Sequence, residues 1–224
     1  MAFLVLALLA VVVLPYAWVR FTIDRHSRER PDLPGTGGEL ARHLLNRFDL
    51  PHVKVEATEL GDHYDPQTKT VRLLKKHMDG RSLSAVAVAA HEVSHALQDA
   101  GGERMLAMRQ TLATFAAATD KLASFFFVAA PFLGLLARTP AAFVSFVAIG
   151  VALLAVRVIV NLITLPVEFD ASFGKALPIL KDGQYLHPKD LGPVKSVLRA
   201  AALTYVASAL IALVNLWQWI RALR

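Results

Sequence analysis

The chain has 224 residues, 55% hydrophobic and 19% charged, with a formal net charge of +6 and a mean hydropathy of +0.45. That is too apolar for an ordinary soluble domain, and in a membrane protein surplus Lys and Arg report orientation rather than nucleic-acid binding. It has no cysteine, so disulfides and thiolate metal sites are excluded and any metal must be held by His, Asp or Glu.

From Met1 to Val19 there is no charge, and Leu, Val and Ala dominate. About 17–25 apolar residues suffice to cross a bilayer. No basic stretch precedes the run and no small-x-small cleavage site follows it, so residues 1–20 are expected to be an uncleaved signal anchor rather than a cleaved signal peptide. Arg20, Arg25, Arg28 and Arg30 come directly after and favour a cytoplasmic C-terminal end for this helix.

Residues 21–121 should form the polar portion. Pro31 to Gly38 reads as a linker. Glu39 to Phe48 places Leu40, Leu44, Leu45 and Phe48 at helical spacing, which predicts a short amphipathic helix. Val53 to Ala57 alternates apolar and polar residues, and Lys69 to Leu73 is a second extended run. The turn-rich stretch Gly61 to Pro66 lies between them, so the pair is predicted to form a small hairpin. After Gly80, Ser82 or Ser84 can cap a helix running from about Leu83 to Asp99 and ending at Gly101-Gly102.

Inside that helix stands His91-Glu92-Val93-Ser94-His95, an H-E-x-x-H motif. Positions i and i+4 share a helix face, so His91 and His95 can direct two imidazoles at one Zn2+ ion. Glu92 can reach a water on that ion. Zinc lowers the pKa of such a water from about 15.7 to about 7, and a carboxylate can then take its proton. The spacing therefore points to a zinc-dependent peptidase with Glu92 as general base.

Glu103 to Lys121 is mixed and predicted helical. Three more apolar runs follow: Leu122 to Ala137, Ala141 to Val167 interrupted by Arg157, and Ala200 to Ile220 with Trp217 and Trp219 near its end. With the N-terminal run, these predict four transmembrane helices. The expected division is 1–20 anchor, 21–121 catalytic portion, 122–165 two spans, 166–199 third-ligand helix and loop, and 200–224 C-terminal span. Two spans separate the Lys/Arg-rich segments Arg20 to Lys121 and Glu168 to Arg199, so these share a side. The loop at Arg138 and the tail with Arg221 and Arg224 fall opposite. The balance favours a cytoplasmic catalytic side with both termini outside.

Catalytic zinc keeps three protein ligands and an open position. Beyond His95, the third donor is sought in Leu165 to Ser172, at what reads as the start of a new helical stretch. Glu168 and Asp170 are two apart and cannot face one site together. Beside an H-E-x-x-H, Glu168 is favoured as the ligand, with Asp170 as a supporting group. Gln98 and Asp99, one turn past His95, either orient its imidazole or simply solvate the helix end.

Four blocks in order carry a resemblance: Asp62 to Pro66, Ser84 to Val93, Thr164 to Ser172 and Val197 to Val206. In them the chain resembles the membrane-embedded neutral zinc metallopeptidases of the YugP type, themselves distantly similar to gluzincin membrane peptidases of the HtpX kind. The resemblance implies Zn2+ as cofactor, His91, His95 and Glu168 as ligands, and Glu92 as base. The expected fold is mainly α with a small zincin-like α+β portion; charges at Arg81 and from Asp99 to Arg104 flank the motif and favour a site at the membrane surface over one within a spanning segment, as an intramembrane protease would have. The family usually has Gly where this chain has Ser94, the next smallest polar choice, so activity is expected to survive. Residues from Lys181 to Pro193 carry little of the likeness.

His63 and Tyr64 can be read as oxyanion donors or as part of a turn held by Asp62 and Asp65, and turn chemistry favours the second. His26, His43, His52, His77 and His187 have no partner spacing and read as surface or packing residues. Expected partners are membrane lipid and a peptide or protein substrate, with no nucleic acid. The alternative is a membrane scaffold or adaptor whose zinc site is structural or vestigial. A structural site needs four protein ligands, and no fourth candidate stands out.

Overall fold

The computed structural model describes residues 2–137 and 140–222. The connection at Arg138-Thr139 and the terminal Arg224 lie outside the described residues, as do the side chains of Arg157, Trp217 and Trp219. The described residues are mainly helical, with one small three-stranded sheet. They divide into two units.

One unit draws on Met1–Tyr16, Met108–Leu165 and Tyr205–Arg224. Its residues belong to α1 (Ala2–Arg25), α5 (Arg104–Ala137), α6 (Pro140–Phe169) and α8 (Leu191–Ala222). Large apolar side chains stand exposed here, among them Phe125 at 63% and Phe132 at 71%. Large exposed apolar side chains of this kind are uncommon on a freely soluble surface. Among the described residues, one helix, beginning at Phe143, is long and apolar enough to cross a membrane. The mixed stretch after Glu103 and the apolar run from Leu122 are a single helix, α5.

The segment carrying Glu168 differs from expectation: a new helical stretch was expected to start within Leu165 to Ser172, and proline, which removes a backbone donor, is a usual place for a helix to end. Instead Pro166 lies inside α6, which runs on to Phe169 and widens into a π-helical turn, Asp170–Ala176. Glu168 therefore sits in the last turn of α6. Proline is tolerated in such helices where neighbouring groups and local π adjustments absorb the lost hydrogen bond.

The second unit comprises Ala17–Ala107 and Pro166–Thr204. Its first helix is α2 (Gly37–Arg47). The Thr36 hydroxyl accepts from Glu39 N at 3.2 Å, and the Glu39 carboxylate accepts from Thr36 N at 2.8 Å. This capping box satisfies two donors that helix starts leave open. The expected linker thus ends in the cap of α2, whose Ala41, Leu44 and Leu45 are buried.

The sheet contains β1 (Lys54–Thr58), β2 (His63–Asp65) and β3 (Thr70–Leu74), in the order β1-β3-β2. The expected hairpin between the two extended runs does not form: β1 and β3 pair in parallel. The connection between them contributes β2, antiparallel to β3. The chain reverses at Gly61, whose φ of 105° suits glycine. It turns again after Asp65. A three-residue strand is too short to show as alternation.

The Asp65 carboxylate holds that second turn. It takes Arg72 at 2.7 Å, the Thr68 hydroxyl at 2.8 Å and Gln67 N at 3.0 Å. The bond from Arg72, helped by Thr68 and Gln67, outweighs partial burial and holds the Asp65 carboxyl at about 2. A depressed carboxyl stabilises the fold above its ordinary value, near 3.8, and that contribution is lost as pH falls through about 2. Amide protection of Thr70–Leu74 is therefore expected to fall between these two values in the parent. In Asp65→Asn it should be lower than in the parent above this window, converge with the parent at its acid end, and lack the pH-dependent step. Equal slopes in hydrogen exchange would contradict that role.

A short helix, α3 (Lys75–Met78), leads to α4 (Leu83–Ala100). Ser82 is the cap, accepting from Ala85 N at 3.1 Å. Ser84 instead donates to Ile23 O at 2.6 Å, tying α4 to the end of α1. Val86 to Ala90 are all buried, and the small residues there let neighbours approach α4 closely. α7 (Leu177–Asp182) supplies Leu180, and α8 supplies Val194, Val197 and Leu198, to the same core. Arg30 bonds Asp32 and makes a two-pronged contact with Asp190, each arm 3.0 Å, holding the segment after α1 to the start of α8.

Candidate metal centre

His91 and His95 project from the buried length of α4 as their spacing requires. Their ring centroids are 4.8 Å apart, with the planes at 80°. Glu168 arrives from the last turn of α6. Its Oε2 lies 3.3 Å from His91 Nε2 and 3.4 Å from His95 Nε2. All three residues are nearly sealed from solvent, at 4%, 2% and 1% exposure respectively. Their ligand atoms lie within 4.8 Å of one another.

This donor set fits zinc. Two donors each about 2.1 Å from a tetrahedral ion lie about 3.4 Å apart. The other ring nitrogens are engaged elsewhere. Ser172 Oγ is 3.0 Å from His91 Nδ1 and donates to Leu198 O at 3.1 Å. A hydroxyl has one proton, so Ser172 accepts from Nδ1–H of His91. Gln98 Oε1 is 2.8 Å from His95 Nδ1. Both imidazoles thus turn Nε2 toward a carboxylate oxygen, so that the atoms facing the site are two ring nitrogens and a carboxylate, a donor set that a cation can bind.

Glu92 is buried, directly after His91 on α4. Asp170 stands apart from the three converging groups. It accepts from Gln98 Nε2 at 2.8 Å and from Lys175 Nζ at 2.7 Å. Lys175 also meets Glu103 at 2.8 Å. Gln98, one of the two readings left open above, does contact His95. Asp99 turns away and takes the Tyr64 hydroxyl and Lys69, each at 2.6 Å.

Tyr64 is buried, and burial together with Asp99 pushes its hydroxyl well above the usual tyrosine value. Its proton is committed to Asp99. His63 bonds Gly61 O through Nδ1 at 2.8 Å. Asp62 accepts from Leu74 N and pairs with His77, at 2.7 and 2.8 Å. These are the bonds of a held turn. His77 is a packing histidine, buried at 2% exposure.

Ser94 is fully buried, and its hydroxyl donates to Ala90 O at 2.7 Å. The side chain folds onto its own helix, as mid-helix serines do, and takes little more room than glycine. Ser172 had not been singled out from the sequence. Its position four residues after Glu168, on the same helix face, was the available signal. Lys175 gave none, because a residue five positions beyond Asp170 faces elsewhere on a regular helix.

A family model described as "Putative neutral zinc metallopeptidase" matches residues 1–224. The chain belongs to this family. It is also 35% identical over 210 residues to the "Putative membrane protease YugP" of Bacillus subtilis (strain 168), covering 91% of this chain and 89% of that protein. No solved structure matches. Zinc is the metal of the family, and the buried His91, His95 and Glu168 group could bind it.

Proposed function

We propose that the protein is an integral membrane zinc endopeptidase. The observation that carries this reading is the convergence of His91 Nε2, His95 Nε2 and Glu168 Oε2 at zinc-like spacing in a buried site. In it, His91, His95 and Glu168 hold the ion. The chemistry supplied by the ion is Lewis acidity toward water and toward a peptide carbonyl. Glu92 accepts the proton of the attacking water and delivers it to the leaving amine. The substrate is a peptide or protein. The site is of the gluzincin type, with two histidines and a glutamate. Three donors among the described residues, rather than four, favour a catalytic over a structural zinc.

In this reading four helices cross the membrane and the catalytic portion, residues 21–121 and 166–199, sits at its cytoplasmic face. The apolar exposure of the first unit and the membrane designation of the Bacillus relative support it. Charge distribution supports the orientation. A reporter fused after Arg224 should then read as external; a cytoplasmic signal would overturn the topology.

Metal removal tests the activity itself. The detergent-purified chain should lose peptide cleavage on chelation and regain it with stoichiometric zinc. Cleavage that persists in the chelated, metal-free protein would contradict a zinc peptidase.

A further inference from the structure

Gln98 is fully buried and spends every polar atom. Its Nε2 lies 3.1 Å from Val167 O and 2.8 Å from Asp170 Oδ2. A carbonyl and a carboxylate can only accept, so the amide group facing them must be NH2. Oε1 then faces His95 Nδ1 at 2.8 Å, and an amide oxygen requires a proton on that nitrogen. Nε2 of His95 is then the ring nitrogen that faces Glu168. With the amide reversed, NH2 would face Nδ1, and the ring proton would move to Nε2, where it blocks a metal. The amide orientation therefore selects the ring tautomer.

Asp170 is held by an unusual backbone. Successive residues of an α-helix are about 100° apart, so positions i and i+5 diverge. In a π-helical turn the bonds run i to i+5 and such residues stack. The turn Asp170–Ala176 brings Lys175 Nζ to 2.7 Å from Asp170 Oδ2, the oxygen that also takes Gln98. Gly174 leaves the space for this: a methyl group there would collide with the Asp170 carboxylate, whose Cγ would be 3.1 Å away.

We propose that the π-helical turn is a tautomer lock for the metal centre: Asp170, held by Lys175, acts with Val167 O to orient the Gln98 amide, which keeps a proton on His95 Nδ1 and turns Nε2 to the zinc position. Gln98 and Asp170 are positioning residues. The proposal rests on His95 being a ligand.

The test is imidazole 15N NMR of the metal-free full-length protein in detergent, with zinc affinity measured alongside. In the parent, His95 should be the Nδ1–H tautomer. Asp170→Ala, and Gly174→Ala, which displaces the carboxylate without deleting it, leave Val167 O as the single acceptor holding the Gln98 amide and should give His95 a measurable share of the Nε2–H tautomer. Both should weaken zinc binding by about 10- to 100-fold, the usual effect of losing such a partner. Asp170→Asn keeps an acceptor oxygen for Gln98 and should restore the parental tautomer and most of the affinity. A merely structural role would leave Asn no better than Ala, since both lose the ion pair with Lys175, and that result overturns the lock. An unchanged tautomer and affinity in Gly174→Ala overturns it as well, even should Asp170→Ala fail to fold. A parent that shows the Asp170-dependent tautomer yet binds no zinc would support the lock and overturn the zinc reading instead.

Discussion

Glu92→Gln is expected to reduce peptide cleavage by at least about 10²- to 10⁴-fold, the usual contribution of a positioned general base, while leaving bound zinc unchanged. Gln has nearly the same volume and lies outside the donor set of His91, His95 and Glu168, so the metal should stay. It cannot take a proton from water at neutral pH, so the chemical step should fail. Single-turnover cleavage beside metal analysis separates the two effects. Cleavage at the parental rate would remove Glu92 from the mechanism. Loss of zinc together with activity would assign it to holding the site.

Glu168→Ala is expected to have the larger effect on the metal. Glu168 is 1% exposed, with one carboxylate oxygen within 3.4 Å of both histidine Nε2 atoms. Alanine leaves a two-donor site, too few for tight zinc binding, so zinc should be lost on dialysis and cleavage with it. Asp170→Ala, acting through Gln98, should weaken binding by about 10- to 100-fold without abolishing it. Tight zinc binding in Glu168→Ala with loss in Asp170→Ala would reverse the two roles.

Much of this site was legible in the sequence because its signals are local. The i, i+4 spacing of His91 and His95 survives any tertiary arrangement that keeps α4 helical. The helix bounds followed from Ser82 and Gly101-Gly102, and the donor type followed from the absence of cysteine. Glu168 required a resemblance or a pairing over more than seventy residues, since a carboxylate pair near a helix end has ordinary explanations. What was misread depends on long-range geometry. β1 and β3 looked like a hairpin because two extended runs flank a turn-rich stretch, but neither feature encodes strand direction. A new helical stretch was expected in Leu165 to Ser172, whereas α6 continues through Pro166 to Phe169, because local propensity does not decide where a packed helix ends. The π-helical turn left no periodic trace, so the Asp170–Lys175 pair and its link through Gln98 to His95 emerged only in three dimensions.

The central claim is that His91, His95 and Glu168 together hold one zinc. X-ray absorption at the zinc edge of the loaded parent tests it most directly. Two imidazole nitrogens at about 2.0–2.1 Å and carboxylate oxygen at about 2.0–2.2 Å are expected, with one zinc per chain. A zinc shell with fewer than two imidazoles, or a chain that takes up no zinc, would contradict it.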